Sequence, residues 1–180
     1  MSNDIIYITG FIIFFFGLSL VLKNSSKFLY FIYTFLSTVF HELAHFIIGL
    51  ILFANPTYFS LIPKKTEEGY TLGFVEFNRL NSFNALPISL APLILIFIAY
   101  LTFNQFYGSM NIVLLSFLLF LLLNGSIPSS QDFSIVFEYK LGIILYLCLV
   151  SLFIYIYFFG GNINEIKNIF NTVINNNFIQ

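Results

Sequence analysis

The chain has 180 residues, of which 59% are hydrophobic, 21% aromatic and only 8% charged, with a formal net charge of −1. A soluble domain usually carries about 25% charged residues, so the polar surface of a soluble fold is missing, while abundant apolar side chains exclude disorder. The near-neutral charge leaves no basic face for a nucleic acid, and the single cysteine, Cys148, cannot close an internal disulfide. The composition implies an all-α polytopic membrane protein forming one membrane-embedded domain over 1–180.

A helical span takes roughly 20 apolar residues, because the hydrocarbon core is about 30 Å thick and each residue rises about 1.5 Å. About five spans are expected. The first, near 5–22, is closed by Lys23 and Lys27. It has no basic n-region and no small-residue cleavage site, so it reads as a retained span. The second, 28–54, carries His41, Glu42 and His45 in its middle.

The region 55–83 is the only sizeable polar stretch. Within it, 57–62 and 70–77 are rich in β-branched and aromatic residues and flank a charged turn, Pro63-Lys64-Lys65-Thr66-Glu67-Glu68-Gly69. This pattern predicts a β-hairpin with a longer loop, apolar enough to lie in or against the membrane; a simple connecting loop is the plainer alternative. The third span, 84–103, contains Pro87 and Pro92, which are tolerable only if neighbouring groups satisfy the carbonyls they free.

The fourth span, 107–123, is short and runs into Asn124-Gly125-Ser126-Ile127-Pro128-Ser129-Ser130-Gln131-Asp132 before apolar sequence resumes in the fifth, 135–159. Part of 124–132 is therefore expected at membrane depth. Non-helical backbone persists there only when buried in protein or facing a water-filled cavity. The tail, 162–178, spaces Ile163, Ile166, Phe170 and Val173 as an amphipathic surface helix would, with a frayed terminus as the alternative. Lys64, Lys65 and Arg79, with Lys140 nearby, balance against Lys23, Lys27 and Lys167, which favours a cytoplasmic N-terminus.

The chain's two histidines occur as His41-Glu42-Leu43-Ala44-His45. Positions i and i+4 share one helix face, so both imidazoles can reach one ion. Glu42 is turned about 100° around the helix, beside the ion, where it can take a proton from an activated water. Structural histidines hydrogen-bonded in a helix bundle are the bland alternative. They would still have to explain an ionisable cluster near the bilayer centre, where each charge costs at least about 2.5 kcal/mol.

Catalytic zinc takes three protein ligands and one open position. No third histidine exists, so the remaining ligand is sought among Asp, Glu and Cys. The second and fourth spans run in the same direction, which brings the exit segment holding Asp132 towards the exit half of the second. Asp132 is therefore the leading candidate and Glu138 the runner-up. Glu67, Glu68 and Glu76 read as solvated hairpin residues, and Cys148 as packing.

These features resemble the site-2 proteases, a family of intramembrane zinc metalloproteases. The likeness rests on His41-Glu42-Leu43-Ala44-His45 inside a span, a membrane-associated hairpin after it, and a later broken helix with Asn124, Pro128 and Asp132. Gln131-Asp132-Phe133 stands in place of the family's Leu-Asp-Gly, Ala91-Pro92-Leu93 in place of Gly-Pro-Leu, and there is no PDZ-like domain. The resemblance implies Zn2+ bound by His41, His45 and Asp132, with Glu42 activating water and Asn124 helping to hold substrate. It implies transmembrane protein substrates within the lipid bilayer. A multi-pass protein with a structural or regulatory metal site, and a metal-free transporter or structural subunit, are the competing expectations.

Overall fold

The computed structural model describes residues 2–158 apart from 63, 67 and 68. The amphipathic helix expected over 162–178 lies outside the described residues. Two long helices come first, α1 (Ser2–Ser25) and α2 (Lys27–Ile51). Four strands follow: β1 (Pro56–Ser60), β2 (Lys64–Thr66), β3 (Gly69–Thr71) and β4 (Phe74–Phe77). The remainder is helical: α3 (Ala85–Ser89), a 3-10 turn (Ala91–Leu93), α4 (Ile94–Phe106), α5 (Ile112–Gly125), α6 (Ser130–Glu138) and α7 (Lys140–Phe158).

Among the described residues four segments are long and apolar enough to cross a membrane, against the five expected: Asn3–Ser25, Lys27–Ile51, Ile112–Glu138 and Lys140–Tyr157. The expected third span fails on length because it is divided. Its α3 has five residues, and the chain passes through the 3-10 turn before the 13 residues of α4. Pro92 accounts for the division, since it cannot donate to the carbonyl four residues before it, whereas Pro87 sits in the first turn of α3, where its missing N–H breaks no bond within the helix. The carbonyls four residues before the two prolines belong to Phe83 and Ile88. Both are taken up by side chains: the Tyr146 hydroxyl donates to Phe83 O at 2.7 Å, and His45 Nδ1 lies 2.8 Å from Ile88 O.

The core gathers around α5, which is why that helix is apolar on every side. Leu115, Leu119 and Leu122 pack with Ile8 of α1 and with Leu95 and Ala99 of α4. Phe120, fully buried, meets Phe15, Phe16 and Tyr33 ring to ring. On α5's opposite flank α2 approaches so closely that a Cβ on Gly125 would lie 2.7 Å from Ser37 O. Small residues at such a crossing let backbones meet where no hydrophobic driving force exists between helices. Ser37 Oγ completes the join by donating to Leu121 O at 2.7 Å. α7, by contrast, is exposed along most of its length, as expected of a helix facing lipid.

The hairpin is real, and it folds back on the helix before it. α2 ends in a left-handed residue, Phe53 (φ 55°), with Ala54 N donating to Gly49 O at 2.9 Å and Phe53 N to Leu50 O at 3.2 Å. That bond pattern is a Schellman motif with phenylalanine where glycine is usual. β1 then pairs antiparallel with β4 (Tyr58↔Glu76, Phe59↔Val75, Ser60↔Phe74), and β2 with β3 (Lys65↔Tyr70). β4 lies along α2: the Phe77 ring fills the space above Gly49, while Gly73 sits against Thr38 and Glu42. A connecting loop would not do this.

Candidate metal centre

The site forms where α2, the α3 break and the α5–α6 break converge. His41 and His45 project from one face of α2, their ring centroids 4.8 Å apart. Each ring is held from behind by a main-chain carbonyl. His41 Nδ1 lies 2.8 Å from Gly125 O, and His45 Nδ1 lies 2.8 Å from Ile88 O. Both carbonyls are free because of the helix breaks: Pro92 cannot reach Ile88, and Ser129 N, four residues after Gly125, bonds Asp132 instead at 2.6 Å.

A carbonyl oxygen only accepts, so each Nδ1 must carry the proton and donate. In the neutral ring this leaves Nε2 as a bare lone pair. The two Nε2 atoms are 3.1 Å apart. Asp132 closes the triangle, with Oδ1 3.0 Å from His45 Nε2 and Oδ2 3.3 Å from His41 Nε2. Three lone-pair groups thus converge with no hydrogen among them, in a place where His45 is 5% and Asp132 7% exposed. Only a cation, whether a metal ion or an added proton, relieves such an arrangement.

The spacing fits a metal. Ligand atoms about 2.0–2.1 Å from a tetrahedral ion stand about 3.3–3.4 Å from one another. With Asp132 Oδ1 as its ligand atom, two separations lie near those edges, 3.1 Å between the Nε2 atoms and 3.0 Å from His45 Nε2 to Oδ1, and one ligand atom from each residue can be taken with all three within 4.8 Å of one another. His41, His45 and Asp132 therefore lie close enough to hold a metal ion, and they form the one such group among the described residues. Nitrogen and carboxylate donors suit zinc and other first-row divalent ions alike, so the donor set does not name the metal.

Asp132 is fixed by its own helix. Ser129 caps α6: its Oγ accepts from Asp132 N at 3.2 Å, and Asp132 Oδ2 accepts from Ser129 N and Ser129 Oγ at 2.6 and 2.8 Å. This capping box ties up Oδ2 and leaves Oδ1 directed at His45.

Glu42 is 6% exposed and borders the same cavity of about 470 Å³ as His41, His45 and Asp132. Its side chain packs against the Gly73 backbone, where a Cβ would come within 2.8 Å of Glu42 Cγ. Asn124 also borders the cavity, with its amide nitrogen donating to Ser37 Oγ at 3.0 Å. The other candidates lie elsewhere. Glu138 and Glu76 are exposed, Cys148 is exposed on α7, and Glu67 and Glu68 lie outside the described residues.

Sequence reasoning missed Ser129 and the two carbonyls behind the histidines. Ser129-Ser130-Gln131-Asp132 is an S-x-x-D capping signature, which could have been read. Pro92 marks the Ile88 carbonyl equally well. No family model, curated protein or solved structure matches the chain.

Proposed function

We propose that the chain is an intramembrane zinc metalloprotease of the site-2 type, cutting peptide bonds of membrane-embedded protein substrates. The observation that supports this best is the pairing of a three-ligand cluster with Glu42 on one cavity wall. A purely structural metal site is normally closed by four protein ligands, and His41, His45 and Asp132 leave a position open.

His41, His45 and Asp132 would hold the ion, with the carbonyls of Gly125 and Ile88 fixing the two rings. A bound zinc ion supplies Lewis acidity, which acidifies water and polarises a carbonyl oxygen. Glu42 accepts the proton of the attacking water and passes it to the departing amine nitrogen, so one carboxylate serves both halves of hydrolysis. The cavity of about 470 Å³ that Glu42 shares with the three ligand candidates has room for that water. An extended substrate segment can add to the outer edge of the two-stranded hairpin, gaining main-chain hydrogen bonds that do not depend on its sequence.

The Ser129–Asp132 cap favours a second reading, because it gives Asp132 work in folding α6 whether or not a substrate is cut. In that reading the metal merely joins α6 to α2 in a non-proteolytic protein. Purified protein in detergent, analysed for metal and incubated with a single-span model substrate, separates the two. The protease reading expects about one zinc per chain, lost in His45→Ala. It also expects cleavage that 1,10-phenanthroline stops and that Glu42→Gln slows by at least about 10²-fold. Zinc without cleavage leaves the structural reading standing; Glu42→Gln cutting at the wild-type rate removes the mechanism.

A further inference from the structure

Most hydroxyl-bearing residues of the helices follow one habit, bonding back to the preceding turn, Ser19 and Ser134 to the carbonyl three residues back. Thr9, Ser25, Thr34, Thr38, Thr102 and Ser116 each donate to the carbonyl four residues back, at 2.6 to 3.2 Å. This is how an apolar surrounding is reconciled with a hydroxyl. Ser37 departs from it by bridging to α5. Ser89 departs from it altogether. At 1% exposure it is among the most buried polar residues, yet its Oγ has no hydrogen-bond partner. Among the described residues it is the only buried side-chain nitrogen or oxygen in that state.

Leaving such a group unpaired costs about 1–3 kcal/mol, so its retention asks for a reason. Its position supplies one. Ser89 ends α3, directly after the residue whose carbonyl holds His45, and it borders the cavity shared by His41, His45, Asp132 and Glu42. Along that wall the lone pairs of the cluster face a cation and Glu42 accepts a proton, so none of these groups donates a hydrogen bond to an incoming oxygen. The hydroxyls of Thr34, Ser37, Thr38 and Ser129, which line the same cavity, are spent on bonds within the protein, whereas that of Ser89 is not.

We propose that Ser89 Oγ donates a hydrogen bond to the scissile carbonyl oxygen as it gains negative charge, making Ser89 the oxyanion donor of the cleavage reaction. This rests on the protease reading of the site. No bond to Ser89 forms or breaks: the hydroxyl keeps its proton and stabilises the oxygen while Glu42 moves the proton of water. A donor placed before the reaction needs no reorganisation when charge appears, and removing one such donor typically lowers kcat about 10²–10³-fold.

The test compares wild type, Glu42→Gln, Ser89→Ala and Ser89→Cys as full-length proteins in detergent. Four quantities are read: zinc content, Tm, kcat and KM on a single-span substrate, and Kd for a phosphinate peptide whose tetrahedral P–O⁻ replaces the scissile carbonyl. The proposal expects Ser89→Ala to keep its zinc and an equal or higher Tm, because an unpaired buried hydroxyl has been removed. Its kcat falls about 10²-fold with KM changed less than about twofold, and its phosphinate Kd rises by the same factor. Ser89→Cys, with a weaker donor of similar volume, falls between. The proposal is overturned if kcat and phosphinate Kd stay within about twofold of wild type while Glu42→Gln is dead. It is equally overturned if activity is lost together with zinc or Tm, which marks a structural serine. A wild type that holds zinc but cuts nothing instead brings down the protease reading itself.

Discussion

His45 Nδ1 stands 2.8 Å from Ile88 O, the carbonyl that Pro92 leaves without its helical donor. One proline thereby performs two tasks, interrupting the helix and presenting an acceptor that sets the tautomer of a metal-ligand candidate. The same logic recurs twice. Gly125 O, released where α5 ends, holds His41, and Phe83 O, just ahead of α3 and four residues before Pro87, receives the Tyr146 hydroxyl and anchors α7. Among apolar helices a freed carbonyl needs a donor, and here the donors are the groups that build the site and dock the last helix.

Restoring the amide at position 92 should therefore disturb the metal site without touching a ligand. In Pro92→Ala the new N–H competes with His45 Nδ1 for Ile88 O, loosening the ring's orientation. Such supporting bonds are typically worth 10- to 100-fold in metal affinity, and about tenfold weaker zinc binding is expected by competition with a chelating dye. Pro87→Ala, which frees no carbonyl behind a histidine, should bind zinc as wild type does. Equal affinities for all three proteins would show that the Ile88 carbonyl does not govern His45.

Ser129 offers a second handle. Its N–H and hydroxyl hold Asp132 Oδ2 at 2.6 and 2.8 Å. Ser129→Ala removes the hydroxyl and half of the capping box, a change usually costing about 1 kcal/mol at a helix N-terminus. Asp132 then samples orientations that turn Oδ1 from His45. Zinc affinity should fall at least severalfold and Tm by a few degrees, whereas Ser130→Ala, next door and without such bonds to Asp132, should change neither. Calorimetric zinc titration of the two variants decides it.

What could be read beforehand depended on the range of the interaction. Apolar runs marked α1, α2 and α7, because a span's length is a local property. The four-residue histidine spacing fixed a shared face for the same reason. Asp132 was reachable because chain parity and the depth of the 124–132 break placed it beside α2. Ser89 and the Gly125 approach to Ser37 were not legible, since each is defined by partners more than 35 positions away in sequence or by having none. At 84–103 hydropathy sees one apolar run, whereas Pro92 divides it and leaves Ala91–Phe106 shorter than the four long apolar helices. The hairpin's turn back along α2 was also hidden. It hinges on a left-handed Phe53, a residue type that gives no signal for that conformation.

Gly125 tests the packing that supports the site. A Cβ there would meet Ser37 O at 2.7 Å, a main-chain atom that cannot swing aside, and also Leu95 Cδ1 at 3.2 Å. Gly125→Ala must push α2 from α5, stretching the Ser37–Leu121 and Ser37–Asn124 bonds. Overpacking of this kind commonly costs about 1–3 kcal/mol. The expected outcome is a Tm lowered by several degrees together with weaker zinc binding, because the carbonyl behind His41 moves with the helix. Gly10→Ala, where nothing lies within 4 Å, serves as the silent control.

Gly73 separates the proposed cleavage from metal binding. The hairpin backbone passes so close to the Glu42 face of α2 that a Cβ at 73 would lie 2.8 Å from Glu42 Cγ, 3.0 Å from its Oε1 and 3.0 Å from Thr38 Cγ2. The Glu42 carboxylate is the flexible partner in that collision, so Gly73→Ala displaces it before it displaces the helix. His41, His45 and Asp132 lie on other contacts and keep their spacing. Zinc content and affinity should match wild type. Cleavage should fall by about 10²-fold, since a misplacement near 1 Å of a reacting group commonly costs that much. Gly73→Ser should behave alike. A Gly73→Ala protein that cuts at the wild-type rate with full zinc would show that the hairpin does not set the position of Glu42.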